Sequence, residues 1–420
     1  MVRRQKLIIK DERGVPNYMA AFSWTGSKDP AQAPPMFVVC GEVVDAILIS
    51  QFHNTNIEGI PHSLPYREPW TKIDLDSAAR ACRAKGEGWH LLTNTEYAYL
   101  LAESRDLGTE PHGNTEGGRD YDFPEECGVT YDGRRTLTGL DPVTWSHDHT
   151  ENGVYGLKGN VWEMVTGLRL QKGRVDYIPN NDAAVVSMAS DSAAWQQAKT
   201  EDGKTIYLSC GNGVTITTDQ AKEDWDGAHM RDIRLDGLES IPQIIFDLAI
   251  LPPDYKERKD GIYVDSELAE AVPFRGSGFS DTSDAGASAV DLGGPRSYVD
   301  VHVGFRSALY VKDWKQITGK LIGALSRPAG SREARKKALT VPGNTVKAFC
   351  QQIYKSHLYC TMLAGKRQAK IRENAPESGL VWGINILTIP EKYSGMKAGL
   401  STGEYKGVVQ EGREDPLLAW

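Results

Sequence analysis

The chain has 420 residues, 40% hydrophobic and 25% charged, with 42 glycines, 10 tryptophans and 17 tyrosines. That length fits one large domain with additions, or two to three domains, and the glycine and aromatic content disfavours a helical bundle. A net charge of -8 gives no overall case for nucleic acid, and no apolar run approaches the ~18 residues of a membrane span.

The first residues, MVRRQKLIIKDERG, hold one apolar run, residues 7–9, too short for a signal-peptide core. A product made in the cytoplasm is therefore expected. Residues 1–34 are polar, end in AQAPP and read as a lead-in and linker. From Met36, MFVVCGEVVDAILISQF reads as two short strands around Gly41-Glu42. Residues 74–84 have helical spacing, a cap at Asp74 or Asp76, and a stop at Gly86. Asn94 or Thr95 opens a second helix with Leu100 and Leu101 on its inner face. Residues 105–160 are rich in glycine turns and predict a long irregular stretch, of the kind that is functional or held by specific side chains. Residues 171–270 predict strands at 185–188, 205–208 and 214–217 and a helix around 238–248.

The six cysteines, Cys40, Cys82, Cys127, Cys210, Cys350 and Cys360, are scattered without any C-x-x-C pair. Reduced, mostly buried thiols are expected rather than a zinc site. Beyond Tyr310 the composition changes: residues 311–372 carry 14 Lys or Arg against Asp313 and Glu333, a local charge of +12. Residues 315–325 and 332–339 read as helices split by Pro328-Ala329-Gly330. Residues 311–420 thus form a basic extension, read as a solvated face or as a dock for an acidic partner or a larger assembly. No nucleic-acid motif accompanies it, so nucleic acid is not an expected partner.

One absence stands out. Phe274 to Phe305, FRGSGFSDTSDAGASAVDLGGPRSYVDVHVGF, contains no Lys, Glu, Gln, Met or Trp. Those five types make up about a fifth of the chain, so about six were expected in the segment. Its flanks, Arg275-Gly276 and Gly304-Phe305-Arg306, bracket a small, polar, turn-forming interior. Such a frame suggests a binding surface rather than a catalytic centre. If strands run through 287–292 and 298–303, Asp291 and Gly293 share a side, as do Tyr298, Asp300 and His302, with Val299, Val301 and Val303 pointing to the core.

Four motifs in order resemble the formylglycine-generating-enzyme-like branch of the C-type lectin fold. Gly159-Asn160-Val161-Trp162-Glu163-Met164 is similar to its G-N-V-W-E-W signature, and Pro111-His112-Gly113-Asn114 to the preceding P-x-G-N element. The run from Gly86 to Glu96 resembles its "G-x-R-L-P-T-E-A-E-W" stretch, and Arg275-Gly276-Ser277 with Gly304-Phe305-Arg306 its closing R-G-G-S and G-F-R. The resemblance implies an α+β, loop-rich fold over residues 35–310. Gly159, Asn160, Trp162, Glu163, Arg275, Gly304, Phe305 and Arg306 would be its scaffold. Trp162 would fill the core beneath the loop, and Glu163 could pair with Arg306.

The enzymes of that family bind copper through cysteines near the closing segment, and none lies between Cys210 and Cys350. A related branch holds iron by histidines on an added helical bundle, for which a 34-residue lead-in is short. His147 and His149 have H-x-H spacing, but loop surface is the plainer expectation. Relatives also bind calcium near the G-N-V-W-E loop, for which Asp141, Asp148 and Asn152 are candidates; turns and caps are the plainer role. No resident cofactor is otherwise expected.

The closing segment is most similar to the hypervariable stretch of diversity-generating-retroelement variable proteins. Laid on that pattern without a gap, Arg275, Gly276, Ala285, Gly286, Ala289, Leu292, Arg296, Ser297, Gly304, Phe305 and Arg306 match. The pattern's asparagines fall on Ser280, Asp281, Asp284, Asp291, Gly293, Gly294, Tyr298, Asp300 and His302. In that family, adenines of AAC-type codons are replaced, which reaches Ser, Asp, Gly, Tyr and His but none of the five missing types. The sequence departs from the pattern at Phe279, where Trp is usual, at Ser277-Gly278, which reverse the usual order, and in continuing about 110 residues past the G-F-R that often ends such chains. The resemblance implies a non-enzymatic binding protein whose nine variable positions meet a protein or glycan on a host or target cell. Display on a virion is favoured over a cell surface. A metal-dependent oxidase and a structural virion protein are the alternatives.

Overall fold

A computed structural model describes residues 1–324 except Glu223 and Gly319. The architecture is mixed α+β. Three six-stranded sheets, two two-stranded ribbons and four helices make up the regular elements among the described residues. None of these helices is long and apolar enough to cross a membrane.

The first sheet runs, in spatial order, Leu321–Ala324, Val2–Lys10, Pro16–Trp24, Ala46–Ser50, Ser307–Val311 and Trp89–Leu91. Residues 1–34 are therefore not a lead-in. Val2–Lys10 and Pro16–Trp24 form a nine-pair antiparallel hairpin. Its turn is closed by Asp11, whose Oδ1 accepts from the Arg13 and Val15 amides. Leu7 and Ile9 alternate into a core with Met19, Ala21, Leu48, Trp89 and Leu309. The charged Arg3, Arg4 and Lys6 around them hide this period-2 pattern in the sequence. The boundary at 310 also dissolves. Ser307–Val311 lies inside the sheet, and Leu321–Ala324 adds to its edge. The helix expected over 315–325 is only Lys315–Thr318 before the chain becomes extended. Residues 332–339 lie outside the described residues.

The two main helices follow their sequence signals. Asp74 caps Leu75–Arg83 by accepting from the Ser77 amide at 2.9 Å, and Leu75, Ala78 and Cys82 form the buried stripe. Asn94–Leu107 starts at the first of the two expected positions, where Thr93 and Glu96 form a capping box. Tyr97, Leu100 and Leu101 face the core, and Gly108, at φ 66, ends the helix. The ribbon expected around Gly41-Glu42 pairs Val38–Val39 with Glu42–Val43.

The second sheet orders Leu168–Gln171, Arg174–Tyr177, Tyr207–Ser209, Thr215–Thr217 and Arg234–Asp236, with Gln196–Gln197 as a sixth strand paired to Arg174–Tyr177. The strand expected at 185–188 is absent: a 3-10 turn, Asp182–Ala184, precedes Val185, which is exposed. The Val185-Val186 pair signalled β structure without a partner strand to receive it. The helix expected around 238–248 shortens to Gln243–Asp247 because Pro242 fixes its start. Cys40, Cys82 and Cys210 carry free thiols, but Cys127 is disulfide-bonded, so the expectation of reduced thiols fails there.

The third sheet carries the segment of interest. Its order is Trp225–His229, Gly261–Asp265, Val290–Gly294, Val272–Arg275, Trp162–Met164 and Val303–Phe305.

Candidate ligand-binding surface

The frame is built around Trp162–Met164. Val272–Arg275 pairs with it antiparallel, placing Arg275 opposite Glu163. Val303–Phe305 pairs with it parallel on the other side, placing Gly304 opposite the same Glu163. Both brackets of the unusual segment therefore close on one strand. The Arg306 Nε donates to Glu163 Oε1 at 2.5 Å, and both side chains are fully buried. The guanidinium also donates to the Ser50 and Tyr155 carbonyls. Burial alone would push the Glu163 carboxyl up, but Arg306 and His53 hold it below the usual carboxylate range. Arg275 is equally buried, donating to Asn94 Oδ1 and to the Leu248 and Ala249 carbonyls. Burial brings its guanidinium down to about 10. Phe305 packs in the core against Trp70.

The loop ahead of this strand explains its residues. Gly159 has φ +77, and a Cβ there would sit 2.2 Å from the Asn114 carbonyl oxygen. Asn160, at φ 68, accepts from the Thr136 amide and the Asn114 side chain. Asp120 receives the Gly113, Asp122 and Phe123 amides and pairs with Lys158. Side chains thus hold the irregular stretch that the turn signals foretold. Trp162 departs from expectation. It is half-buried at the start of its strand, on the margin of the core rather than filling it, with its ring edge-on to Tyr263 at 6.2 Å.

Eight of the nine candidate positions are exposed or half-buried. Ser280 is exposed beside Asp281, whose Oδ2 accepts from the Gly278 amide. Asp284 ends a 3-10 turn, Thr282–Asp284, and meets the His229 ring at 3.2 Å. In Val290–Gly294, Asp291 and Gly293 share the outer side, as expected, while Val290 and Leu292 are buried. Asp291 accepts from the Gly293 amide, and burial pushes its carboxyl up to about 6. Gly294 is the exception: it points inward, where a Cβ would lie 2.2 Å from the Phe274 ring.

Residues 298–300 are irregular and 301–302 form a turn, in place of the expected strand. The alternation therefore fails: Val299 is 52% exposed and Val301 half-buried, and only Val303 reaches the core. The three outer residues nevertheless gather. Tyr298 is 42% exposed, with its ring 5.6 Å from Phe274. His302 stacks on Phe279 at 4.6 Å and hydrogen-bonds Asp300 through its ring and its amide. Burial alone would raise the Asp300 carboxyl, but these bonds hold it below the usual range. His302 lies on Phe279, two residues before Asp281, and Tyr298 lies against Phe274, which pairs with Asp291, so the turn residues adjoin the sheet residues. Arg296 clamps the segment to the first helix through Asp76 and to Glu270.

The calcium candidates are engaged separately. Asp148 accepts from Thr150 and pairs with Arg4, as in an ordinary turn. Asn152 is exposed, and Asp141 is half-buried, with its carboxyl pushed up to about 7 by burial. Among the described residues no group of three or more His, Cys, Asp or Glu is placed to hold a metal ion. His147 and His149 do not share a face: His147 pairs with Glu103, and His149 bonds the Glu110 carbonyl.

Sequence reasoning missed Trp225, His229 and Tyr263, which join the surface from the region before the segment. Alternation in Gly261–Asp265, with Tyr263 and Asp265 out and Ile262 and Val264 in, was the available signal. The pairing that brings this strand beside Val290–Gly294 is long-range and leaves no local mark.

Compared with known proteins, the chain matches no family model and no curated protein.

Proposed function

We propose that this chain is a variable protein of a diversity-generating retroelement, with a C-type lectin-like fold of the formylglycine-generating-enzyme type. It binds a protein ligand or glycan on a host or target cell through the residues between Arg275 and Gly304. The observation that carries this reading is the double closure on Trp162–Met164: Arg275 and Gly304 both face Glu163. Between them, a segment lacking five residue types turns eight of its nine candidate positions outward. The framework arginines spend their polar atoms on the framework, whereas among the described residues no hydrogen bond holds the side chain of Ser280 or Tyr298, both exposed. Display on a virion, with the basic extension as the attachment, belongs to the same proposal.

The test exchanges residues 277–302 for those of a sister sequence, keeping Arg275 and Gly304 to Arg306, and measures binding across a panel of host cells. A changed target range is the expected result, and an unchanged range refutes the reading. The neighbouring DNA offers an independent check: a near-copy of the coding segment, rich in AAC codons and beside a reverse transcriptase, is expected.

A further inference from the structure

The outer face of the third sheet does not end at the unusual segment. Register places Tyr263 opposite Asp291 on one side and Gly227 on the other, and Trp225 opposite Asp265. These residues therefore share the face that presents Asp291 and Gly293. The Tyr263 ring lies over two glycines: a Cβ would come within 2.7 Å of the ring at Gly227 and 2.8 Å at Gly261. Trp225 is 59% exposed, and its indole lies over Gly293, where a Cβ would be 3.1 Å from Nε1. Trp162 meets Tyr263 edge-on, which continues the aromatic row toward the far side of the sheet.

Carboxylates rim this row. Asp281, Asp284 and Asp291 are all electrostatic neighbours of Tyr263, and Asp265 is a neighbour of Asp291. Among the described residues, no lysine or arginine pairs with Asp281, Asp284, Asp291 or Asp265; the basic side chains beside them are two imidazoles, His229 at Asp284 and His302 near Asp281. Arg296, the segment's interior arginine, is consumed by Asp76 and Glu270. Exposed rings edged by uncompensated carboxylates suit a planar cation, which stacks on the ring while its N–H groups reach the carboxylates.

We propose that the binding surface extends beyond the variable segment onto Trp225, Tyr263 and Asp265, and that it takes an arginine-bearing segment of a protein partner. The proposal rests on the ligand-binding reading above and names its partner's chemistry. Gly293 couples the two halves: any larger residue at that position displaces the Trp225 indole, so variation there reaches a residue outside the variable segment.

The test titrates the full chain with a hexa-arginine peptide, following tryptophan fluorescence and calorimetry. The variants are Trp225→Ala, Asp291→Asn, Tyr263→Phe and the distant control Asp202→Asn. The expected result is a loss of about tenfold in affinity for each of the first two. Tyr263→Phe keeps the ring and is expected to bind as before, as is the control. Trp225 is exposed and Asp291→Asn keeps its acceptor, so both fold, which circular dichroism checks. Equal binding by all variants would mean diffuse attraction to a chain of net charge -8 and would overturn the proposal. Binding of neutral oligosaccharides in place of hexa-arginine, abolished by Trp225→Ala, would overturn it as well. Segment exchange separates the two readings. A changed target range with hexa-arginine binding unaltered in Trp225→Ala sinks this inference alone. An unchanged range with peptide binding lost in Trp225→Ala sinks the earlier reading alone.

Discussion

Replacing Glu163 by glutamine tests the frame directly. The substitution keeps the shape of the side chain but removes the charge that faces Arg306, 2.5 Å away at Nε and fully buried. Arg306 would retain the Ser50 and Tyr155 carbonyls, so its hydrogen bonding is only partly lost. Its charge, however, would be left without a counter-ion in the core. Breaking a buried pair in this way costs about 3–5 kcal/mol. Urea denaturation at pH 7 should show that loss as a lower midpoint with an unchanged slope. The acid limb supplies a second readout. The folded carboxyl titrates below its ordinary range, so its contribution is fully present above the unfolded pKa of about 4.3 and is lost as pH falls through the lower folded value. Glu163→Gln should therefore flatten the decline in stability below about pH 4. Adding Arg306→Met should recover part of the loss, because the pair is removed together. A destabilisation under about 1 kcal/mol, or full additivity in the double variant, would refute the idea that this pair holds the brackets to their shared strand.

Gly294→Ser should destabilise by about 1–3 kcal/mol, since its Cβ meets the Phe274 ring, whereas Ser280→Tyr should stay within about 0.5 kcal/mol; thermal melts of the two compare an inward with an outward candidate position. Asp291 titrates in the fold near 6, above its unfolded value, so stability should fall as pH rises from about 4 through 6. Asp291→Asn should remove that slope, and carboxyl-carbon NMR should find the titration. Lys85 is buried on Trp89, bonds Asn17 and Ser307, and is brought down to about 7 by burial. The unfolded chain then binds the extra proton between about pH 7 and 10, so stability should rise across that window and lose its rise in Lys85→Met.

The sequence announced elements whose signals are local. Asp74 and the spacing of Leu75, Ala78 and Cys82 mark one helix, and the Thr93–Glu96 box marks the other. The partnership of Glu163 with Arg306 was legible because the fold resemblance supplied both positions. What stayed hidden was long-range pairing. Leu7 and Ile9 alternate too briefly, among too many charges, to declare a strand, and only the Pro16–Trp24 partner makes one. The valines at 299, 301 and 303 alternate like a strand, yet Pro295 and the turn at Arg296-Ser297 leave 298–302 without a ladder to join. Gly294 looked like its neighbour Gly293, but strand parity sends them to opposite faces.

The closure of both brackets on Trp162–Met164 makes the segment between them a handle clamped at its two roots. The entropic cost of bringing its ends together depends on its length, not on which residues fill it. Rewriting Ser280, Asp284, Tyr298 or His302 leaves that cost, and the hydrogen-bond ladder at the roots, where they were. What the surface touches can thus be changed at an exposed position such as Ser280 without changing the cost of closing the segment.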